Sequence, residues 1–395
     1  MSLVLKKPLI YVTRDIERAL GMVPTSNYFI VSNDTAYGRE IKAQHPENVW
    51  LHENTLESGD LDTYDLLLLP EVQKIIDTHD ADVVVFQNTP RIERLAQQMH
   101  WNLLNPSAEL GKKVEEKISQ IAWLGTDANL LPPNRVALVK DVVFENKKFV
   151  LQFNHTHTGQ GTYIITSSSD LEPLKAKFPE RECRIVDFIE GPVYTVNASV
   201  NRFAIIVGSP SYQITGLSPF TDLPFSTIGN DWSIISKEDR KEIARIAHVI
   251  GLRLKKDSWR GLFGVDVIKD AVSGKIYLLE INARQAASTV FESTLQKSAR
   301  PKSLTIFETH ISALLKKWMP LSTTQINSGA QIVERVTNVP HRVNVSALKE
   351  KGFTVIEYKN VMHNKELFRI QSSLGIMESH NTLNQSGKFI ASCIQ

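Results

Sequence analysis

The residues best suited to chemistry lie in two consecutive predicted strands near residue 270. Asp266 belongs to the first strand, and Glu280, Asn282 and Arg284 belong to the second, across one turn. Because side chains alternate along a strand, the last three share one face, and strand pairing brings Asp266 opposite Glu280. Two carboxylates and an amide oxygen are hard ligands that suit Mg²⁺ together with water and phosphate oxygens. Arg284 can bind an oxyanion or a carboxylate in bidentate fashion. A solvent-exposed polar face of the hairpin is the alternative interpretation.

A second candidate is the glycine-containing segment 154–162, which reads Asn-His-Thr-His-Thr-Gly-Gln-Gly-Thr between two predicted strands. Its small residues suit a loop whose backbone N–H groups close over a phosphate chain. No Gly-Lys-Ser/Thr follows and no helix begins at the loop, so it is neither a Walker loop nor a dinucleotide-binding fingerprint. An ordinary hairpin turn is the alternative.

The apolar pattern predicts the elements that position these side chains. Short β-rich runs alternate with helical stretches over the first hundred residues, which is typical of a parallel α/β sheet. From Arg135 onward, short runs separated by turns indicate antiparallel strands. Helices are predicted at 69–78, 91–100, 108–125, 237–254 and 303–319. Strands are predicted at 9–12, 28–31, 81–86, 136–139, 149–153, 163–166, 184–189, 194–200, 204–208, 261–269, 275–281, 353–358 and 368–371.

The composition narrows the class of protein. With 395 residues, 42% hydrophobic content and 45 basic against 43 acidic residues, the chain is expected to be globular, with two or three domains. A net charge of +2 argues against a general nucleic-acid binder. The longest apolar runs are too short to cross a membrane. The two cysteines exclude a disulfide framework, and with no signal peptide they indicate a cytoplasmic location.

Taken in order, these motifs resemble the ATP-grasp superfamily over about residues 5 to 325. The resemblance implies mixed α/β and α+β architecture: a parallel α/β N-terminal (pre-ATP-grasp) domain, a two-lobed ATP-grasp fold and a small C-terminal segment. The expected boundaries are 1–105 for the N-terminal domain, 106–190 for the lobe with the glycine loop, 191–329 for the lobe with the metal site, and 330–395 for a β-rich appendage.

The resemblance also implies roles for individual residues. Lys117, before a helix, is expected to contact the nucleotide phosphates, and Asp266, Glu280 and Asn282 the metal. The other residues expected to bind the nucleotide are Gln152, Gly159, Gln160, Gly161, Thr162, Asp187, Phe188 and Ile189. Two positions depart from the family pattern. Gln152 stands where a second lysine is usual, so that another cation is needed or the affinity for ATP falls, and Val193 replaces an acid that holds the ribose.

The expected function is that of an ATP- and Mg²⁺-dependent ligase, with Mn²⁺ as an alternative metal. It would activate a carboxylate as an acyl phosphate and join it to an amine or similar nucleophile. Arg284 is expected to be catalytic and, with Gln285 and Ser288, to face the substrate. A bicarbonate-activating carboxylase or carbamoyl-type enzyme and a non-catalytic nucleotide sensor are the alternatives. The expected partners are small-molecule carboxylates and amines, with no nucleic acid and no membrane, and a homodimer is compatible with the resemblance.

Overall fold

Three β-sheets of four or more strands organise the described part of the chain. The computed structural model describes residues 3–53, 60–154, 161–221, 223, 225–317, 321–336, 342–358 and 365–394. The first sheet is parallel, and the other two are antiparallel, so the predicted fold class is confirmed. In the described residues, no helix has the length and apolar character needed to span a membrane.

The parallel sheet is formed by the first hundred residues in the order β3-β2-β1-β4-β5. Its strands are β1 (Leu9–Val12), β2 (Tyr28–Asn33), β3 (Val49–His52), β4 (Asp82–Val85) and β5 (Asn102–Leu103), with helices α1 (Ala36–Gln44), α2 (Thr63–Leu68), α3 (Pro70–Thr78) and α4 (Pro90–Gln98) and a 3₁₀ helix, Ile16–Ala19. Every residue of β1 is buried, because alternate side chains enter two hydrophobic clusters on opposite faces. Such burial on both sides explains the unbroken apolar runs of a parallel sheet.

The single helix predicted over 108–125 is wrong, because the structure has two helices, α5 (Ala108–Glu115) and α6 (Ser119–Leu124). Glu116 is extended, with φ −69° and ψ 132°, and it interrupts the helical hydrogen bonds. The N–H of Ile118 donates instead to Asn154 Oδ1 at 2.8 Å. This partner lies 36 residues away, so a pattern of local spacing does not reveal the break, in which Lys117 lies.

The second sheet is small and has its own hydrophobic core. Its order is β6-β9-β7-β8, with every pair antiparallel. The elements are β6 (Asn134–Leu138), β7 (Phe149–Phe153), β8 (Thr162–Ile165), α7 (Ser168–Lys177) and β9 (Glu182–Asp187), together with the 3₁₀ helices Gly125–Leu130 and Val139–Asp141. We call residues 134–187 the small lobe.

The third sheet carries the predicted hairpin and runs in the order β15-β14-β10-β12-β13-β16-β18-β17, with β11 paired to β10. Its strands are β10 (Val193–Val200), β11 (Ile205–Val207), β12 (Ser211–Thr215), β13 (Thr227–Asp231), β14 (Gly261–Lys269), β15 (Ile276–Asn282), β16 (Ala330–Arg335), β17 (Thr354–Glu357) and β18 (Glu366–Ser372); β19 (Met377–Ser379) and β20 (Thr382–Leu383) form a separate pair. The helices are α8 (Lys237–Lys256), α9 (Thr289–Ala299), α10 (Ile306–Leu314), α11 (Val345–Glu350) and α12 (Gln385–Ser392).

The C-terminal segment is continuous with this sheet. Strand β16 pairs with β13, and β18 and β17 follow it. The boundary at residue 330 therefore falls inside a hydrogen-bonded sheet. Helix α10 likewise contributes Phe307 and Ile311 to the core beneath the N-terminal parallel sheet.

Candidate active site

The candidate metal ligands lie on the hairpin formed by β14 and β15. Asp266 pairs with Glu280 and Gly264 pairs with Asn282 in the strand register. A bulge follows, because Val267 pairs with Leu278, and such bulges often redirect side chains beside active sites. Asn282 Nδ2 donates to Asp266 Oδ2 at 3.1 Å. The structure therefore brings the three side chains together, as the alternation along the strands predicts.

The electrostatics of this hairpin suit a cation. Burial, and to a smaller extent the neighbouring Glu280 carboxylate, raise the pKa of Asp266 to about 6. Glu280 keeps 43% of its side chain exposed. Within the described residues, no group of three or more His, Cys, Asp or Glu side chains is placed to hold a metal ion. The candidate donors are instead two carboxylates and one amide oxygen. This set suits Mg²⁺, because Mg²⁺ completes its coordination shell with phosphate and water oxygens.

Two cations approach the same hairpin. Lys117, in the break between α5 and α6, places Nζ 3.0 Å from Glu280 Oε1. Arg284, just after β15, places Nε 3.5 Å from Glu115 Oε1 and its guanidinium 5.7 Å from the centre of the Phe86 ring. Burial raises the pKa of Glu115, and the Arg284 charge opposes that rise. The candidate metal ligands are thus flanked by two cations, each beside a carboxylate.

The small lobe supplies a pair that the sequence analysis did not recognise. Gln152 on β7 pairs with Arg184 on β9 in the register. Arg184 donates to Gln152 Oε1 from Nε at 3.0 Å and from Nη2 at 2.6 Å. Burial lowers the pKa of Arg184 to about 10, so its guanidinium is still charged at neutral pH. An arginine inside the apolar run Cys-Arg-Ile-Val at 183–186 is the signal that could have identified it.

A cavity of about 1090 Å³ connects these groups. The predicted residues that line it are Lys117, Gln152, Thr162, Asp187, Phe188, Ile189, Glu280, Asn282, Arg284 and Gln285, and Arg184 lines it with them. Val150, Ile164 and Val186 give the small-lobe wall an apolar surface. Gly161, with φ 93°, begins the described chain before β8, whereas Gly159 and Gln160 lie outside the described residues. The arrangement matches an apolar base site that leads to a polar, cationic end.

Residues 114–288 match the family model described as an ATP-grasp domain. The chain contains an ATP-grasp domain. The predicted resemblance to this superfamily is therefore confirmed. The match includes Lys117, the Gln152–Arg184 pair and the β14–β15 hairpin.

Solved structures with the same fold extend over nearly the whole chain. N5-carboxyaminoimidazole synthetase from Staphylococcus aureus, complexed with ADP, has a TM-score of 0.66 and 11% identity and covers 99% of this chain and 98% of its own. Phosphoribosylamine–glycine ligase from Thermotoga maritima has a TM-score of 0.65 and 14% identity, with 98% and 97% covered. Carboxyaminoimidazole ribonucleotide synthase from Aspergillus clavatus, complexed with ATP, has a TM-score of 0.64 and 14% identity, with 98% and 97% covered. No curated protein matches the chain.

The two further predicted substrate residues differ: Gln285 lines the cavity while it is held by the N-terminal domain, and Ser288 lies outside the lining. Gln285, 2% exposed, accepts from Tyr11 Oη at 3.1 Å and donates to the Arg18 carbonyl at 2.9 Å. Its side chain thus ties the ATP-grasp domain to the N-terminal sheet. Ser288 is buried and accepts from Asn197 at 3.0 Å, away from the cavity lining. The prediction that it faces the substrate is wrong, because the chain enters α9 at this point and does not curl over the site.

A second acidic centre lies beside Ser288, outside the cavity. Glu292, on α9, is fully buried. Its carboxylate accepts from Ser209 N at 2.6 Å, Asn197 Nδ2 at 2.7 Å and Gln296 Nε2 at 3.2 Å. Burial raises its pKa to about 7. Three protein donors satisfy this group, so nothing in its surroundings calls for a ligand.

Proposed function

We propose that this protein is an ADP-forming ligase that uses ATP and Mg²⁺ to activate a carboxylate and joins it to an amine or similar nucleophile. The observation that carries the proposal is the convergence of Glu280, Asn282, Lys117 and Arg284 on the cavity, with Asp266 hydrogen-bonded to Asn282 directly behind its lining. The match to the ATP-grasp domain and the nucleotides held by the similar structures support it.

The cavity suggests how the nucleotide lies. Its base would rest against Val150, Ile164 and Val186, beside the backbone of 187–189. Its phosphates would then extend toward Lys117, whose ammonium neutralises Glu280 in the structure described. Lys148 Nζ lies 3.6 Å from the centre of the Phe188 ring, a distance typical of a cation–π contact.

Asp266, Glu280 and Asn282 would hold Mg²⁺, which supplies charge neutralisation for the phosphate oxygens. Gln213 Nε2 donates to Asp266 Oδ1 at 2.9 Å. With the bond from Asn282, this contact fixes the carboxylate before any ligand binds. Such preorganisation lowers the cost of assembling the site.

The chemistry takes two steps. A substrate carboxylate oxygen attacks the γ-phosphorus of ATP, the bond to the β–γ bridging oxygen breaks, and an acyl phosphate and ADP form. The nucleophile then attacks the acyl carbon, and inorganic phosphate leaves through a tetrahedral intermediate. Arg284 would stabilise the oxyanion of that intermediate. We place the carboxylate at the Phe86 end of the cavity, because Arg18 lies 4.7 Å from the centre of that ring and Arg284 lies 5.7 Å from it.

A bicarbonate-using carboxylase is the second candidate. The names of the similar synthetases describe products with a carboxyl group on an amine, whereas the name of the similar ligase describes joining of phosphoribosylamine to glycine. Both reactions fit the same phosphate chemistry. We further propose that the protein acts on small molecules in the cytoplasm; a homodimer stays a prediction.

Release of ADP and phosphate from Mg·ATP tests the function. Amine pools are supplied with either organic carboxylates or bicarbonate, and we expect release in one of the two sets. Release with bicarbonate selects the carboxylase, and release with organic acids selects the ligase. Nucleotide binding without release in any set contradicts both and supports a sensor. The matched control is Glu242→Gln on α8, an exposed acid paired with Arg245, which should release phosphate like the wild type.

A further inference from the structure

The pairing of Gln152 with Arg184 has no part in the mechanism above. We infer that Arg184 provides the second cation for the nucleotide phosphates and that Gln152 positions it. The inference rests on the proposed function, because it assigns a residue within the same nucleotide site. It also changes the expected role of Gln152 from a phosphate ligand to a positioning residue.

Strand register is the first argument. Gln152 and Arg184 face each other across β7 and β9, and both line the cavity with Val150 and Val186 on the same face of the small lobe. Nε and Nη2 of Arg184 donate to a single amide oxygen, which fixes the guanidinium plane. In the part of the chain that the structure describes, Nη1 has no hydrogen-bond partner. One edge of the guanidinium is thus left for a ligand.

Charge is the second argument. Arg184 is 3% exposed and forms no salt bridge with a described carboxylate, and the Glu280 charge acts on it only from a longer distance. Keeping an unpaired cation in an apolar wall costs free energy, and a neutral side chain would pack there without that cost. An anionic ligand compensates the cost, and the cavity is the place where the ligand can bind. The apolar surroundings strengthen the attraction, since they lower the local dielectric.

The identity of the partner is the third argument. Gln152 orients the guanidinium through a neutral oxygen, so the positive charge is conserved for a ligand. A glutamate at the same position would make similar hydrogen bonds but would cancel the charge. The cation expected on β7 is therefore supplied from β9, one strand away.

Calorimetric titration with Mg·ATP and with adenosine tests the inference. For Arg184→Met we expect the affinity for Mg·ATP to fall about 10- to 100-fold while the affinity for adenosine is unchanged, since charge-assisted bonds to phosphate are lost. Gln152→Glu should weaken Mg·ATP to a similar degree by neutralising the guanidinium. Arg135→Met, on the neighbouring strand β6 and outside the cavity lining, is the matched control and should bind like the wild type.

The exchange variant Gln152→Lys/Arg184→Gln separates charge from packing. It returns one cation to the opposite strand, and we expect affinity for Mg·ATP within about threefold of the wild type, since the lost charge-assisted bond is remade. Equal Mg·ATP affinity in Arg184→Met and the wild type overturns the inference and leaves the proposed function intact. Parallel losses for adenosine and Mg·ATP also overturn it, because they indicate a structural role. A wild type that binds no adenine nucleotide overturns the proposed function itself.

Discussion

Asp266 and Glu292 are two acidic centres that lie along one face of strand β10. Thr195 stands opposite Asp266 in the register, and Asn197, two residues on, donates to Glu292. Burial raises the pKa of both acids, to about 6 and about 7. Glu292 accepts three protein hydrogen bonds, and Asp266 likewise has Gln213, Asn282 and the Thr195 side chain as partners, but only Asp266 is paired with a second carboxylate, Glu280, among the described residues. A raised pKa therefore does not by itself identify a functional acid. What distinguishes Asp266 is its pairing with a second carboxylate, Glu280, that lines a cavity.

Removing the metal-site carboxylates should give the largest effect. Asp266→Asn and Glu280→Gln each delete one charged oxygen ligand, and we expect kcat to fall about 10³-fold, or about 4 kcal/mol of transition-state stabilisation. Stability should hold or rise, since repulsion between the two acids is relieved. Steady-state release of ADP and denaturant unfolding measure the two quantities. Turnover within twofold of the wild type would remove the metal assignment.

Replacing Glu292, the fully buried acid, should lower stability and leave turnover unchanged. Glu292→Leu leaves the Ser209 N–H and the Asn197 amide without their acceptor, and we expect the free energy of unfolding to fall by about 3 to 4 kcal/mol. Turnover per folded molecule should be unchanged, because Glu292 is outside the cavity lining. Urea unfolding with activity normalised to folded protein measures both. A stable but inactive variant would contradict the contrast between the two acids.

The pH dependence of stability should identify Glu292 directly. Its pKa is about 7 in the folded state and 4.5 in a model peptide, so the folded state binds the proton more tightly between those values. Its contribution is therefore complete below pH 4.5, falls as pH rises through 7, and amounts to about 3 kcal/mol. Urea unfolding from pH 4.5 to 8 should show a shallower decline for Glu292→Gln than for the wild type. Identical slopes would contradict the raised pKa.

The smallest expected effect concerns Lys117, the cation that contacts Glu280 in the pair formed by Asp266 and Glu280. Lys117→Met removes the contact with Glu280 and a proposed phosphate contact. We expect Mg·ATP affinity to fall about tenfold, with unfolding free energy changed by less than about 1 kcal/mol, because partly exposed ion pairs contribute little. Lys113→Met, an exposed lysine of α5 outside the cavity lining, is the matched control. Unaltered affinity in calorimetric titration would exclude Lys117 from the nucleotide site.

Local spacing predicts the hairpin well, and it fails where partners are distant in sequence. Asp266, Glu280 and Asn282 follow from alternation along two strands joined by one turn. The break at Glu116 depends on Asn154, and the role of Ser288 depends on Asn197. Periodicity carries no information about such pairings.

The strands after residue 330 were expected as a separate appendage for the same reason. Their pairing with β13 spans about a hundred residues. Arg184 lies in a correctly predicted strand, but the role inferred for it depends on its pairing with Gln152 on β7.

The small lobe has a core separate from that of the large sheet. Arg184 lies on the cavity face of the small-lobe sheet, and the β14–β15 hairpin belongs to the large sheet, so a bound nucleotide would connect two bodies that otherwise share few contacts. Ligand binding stabilises the state that binds it. Backbone amides of the small lobe should therefore exchange with solvent through local opening when the site is empty and become protected once the triphosphate joins the two cores. Nucleotide binding would therefore also stabilise the fold.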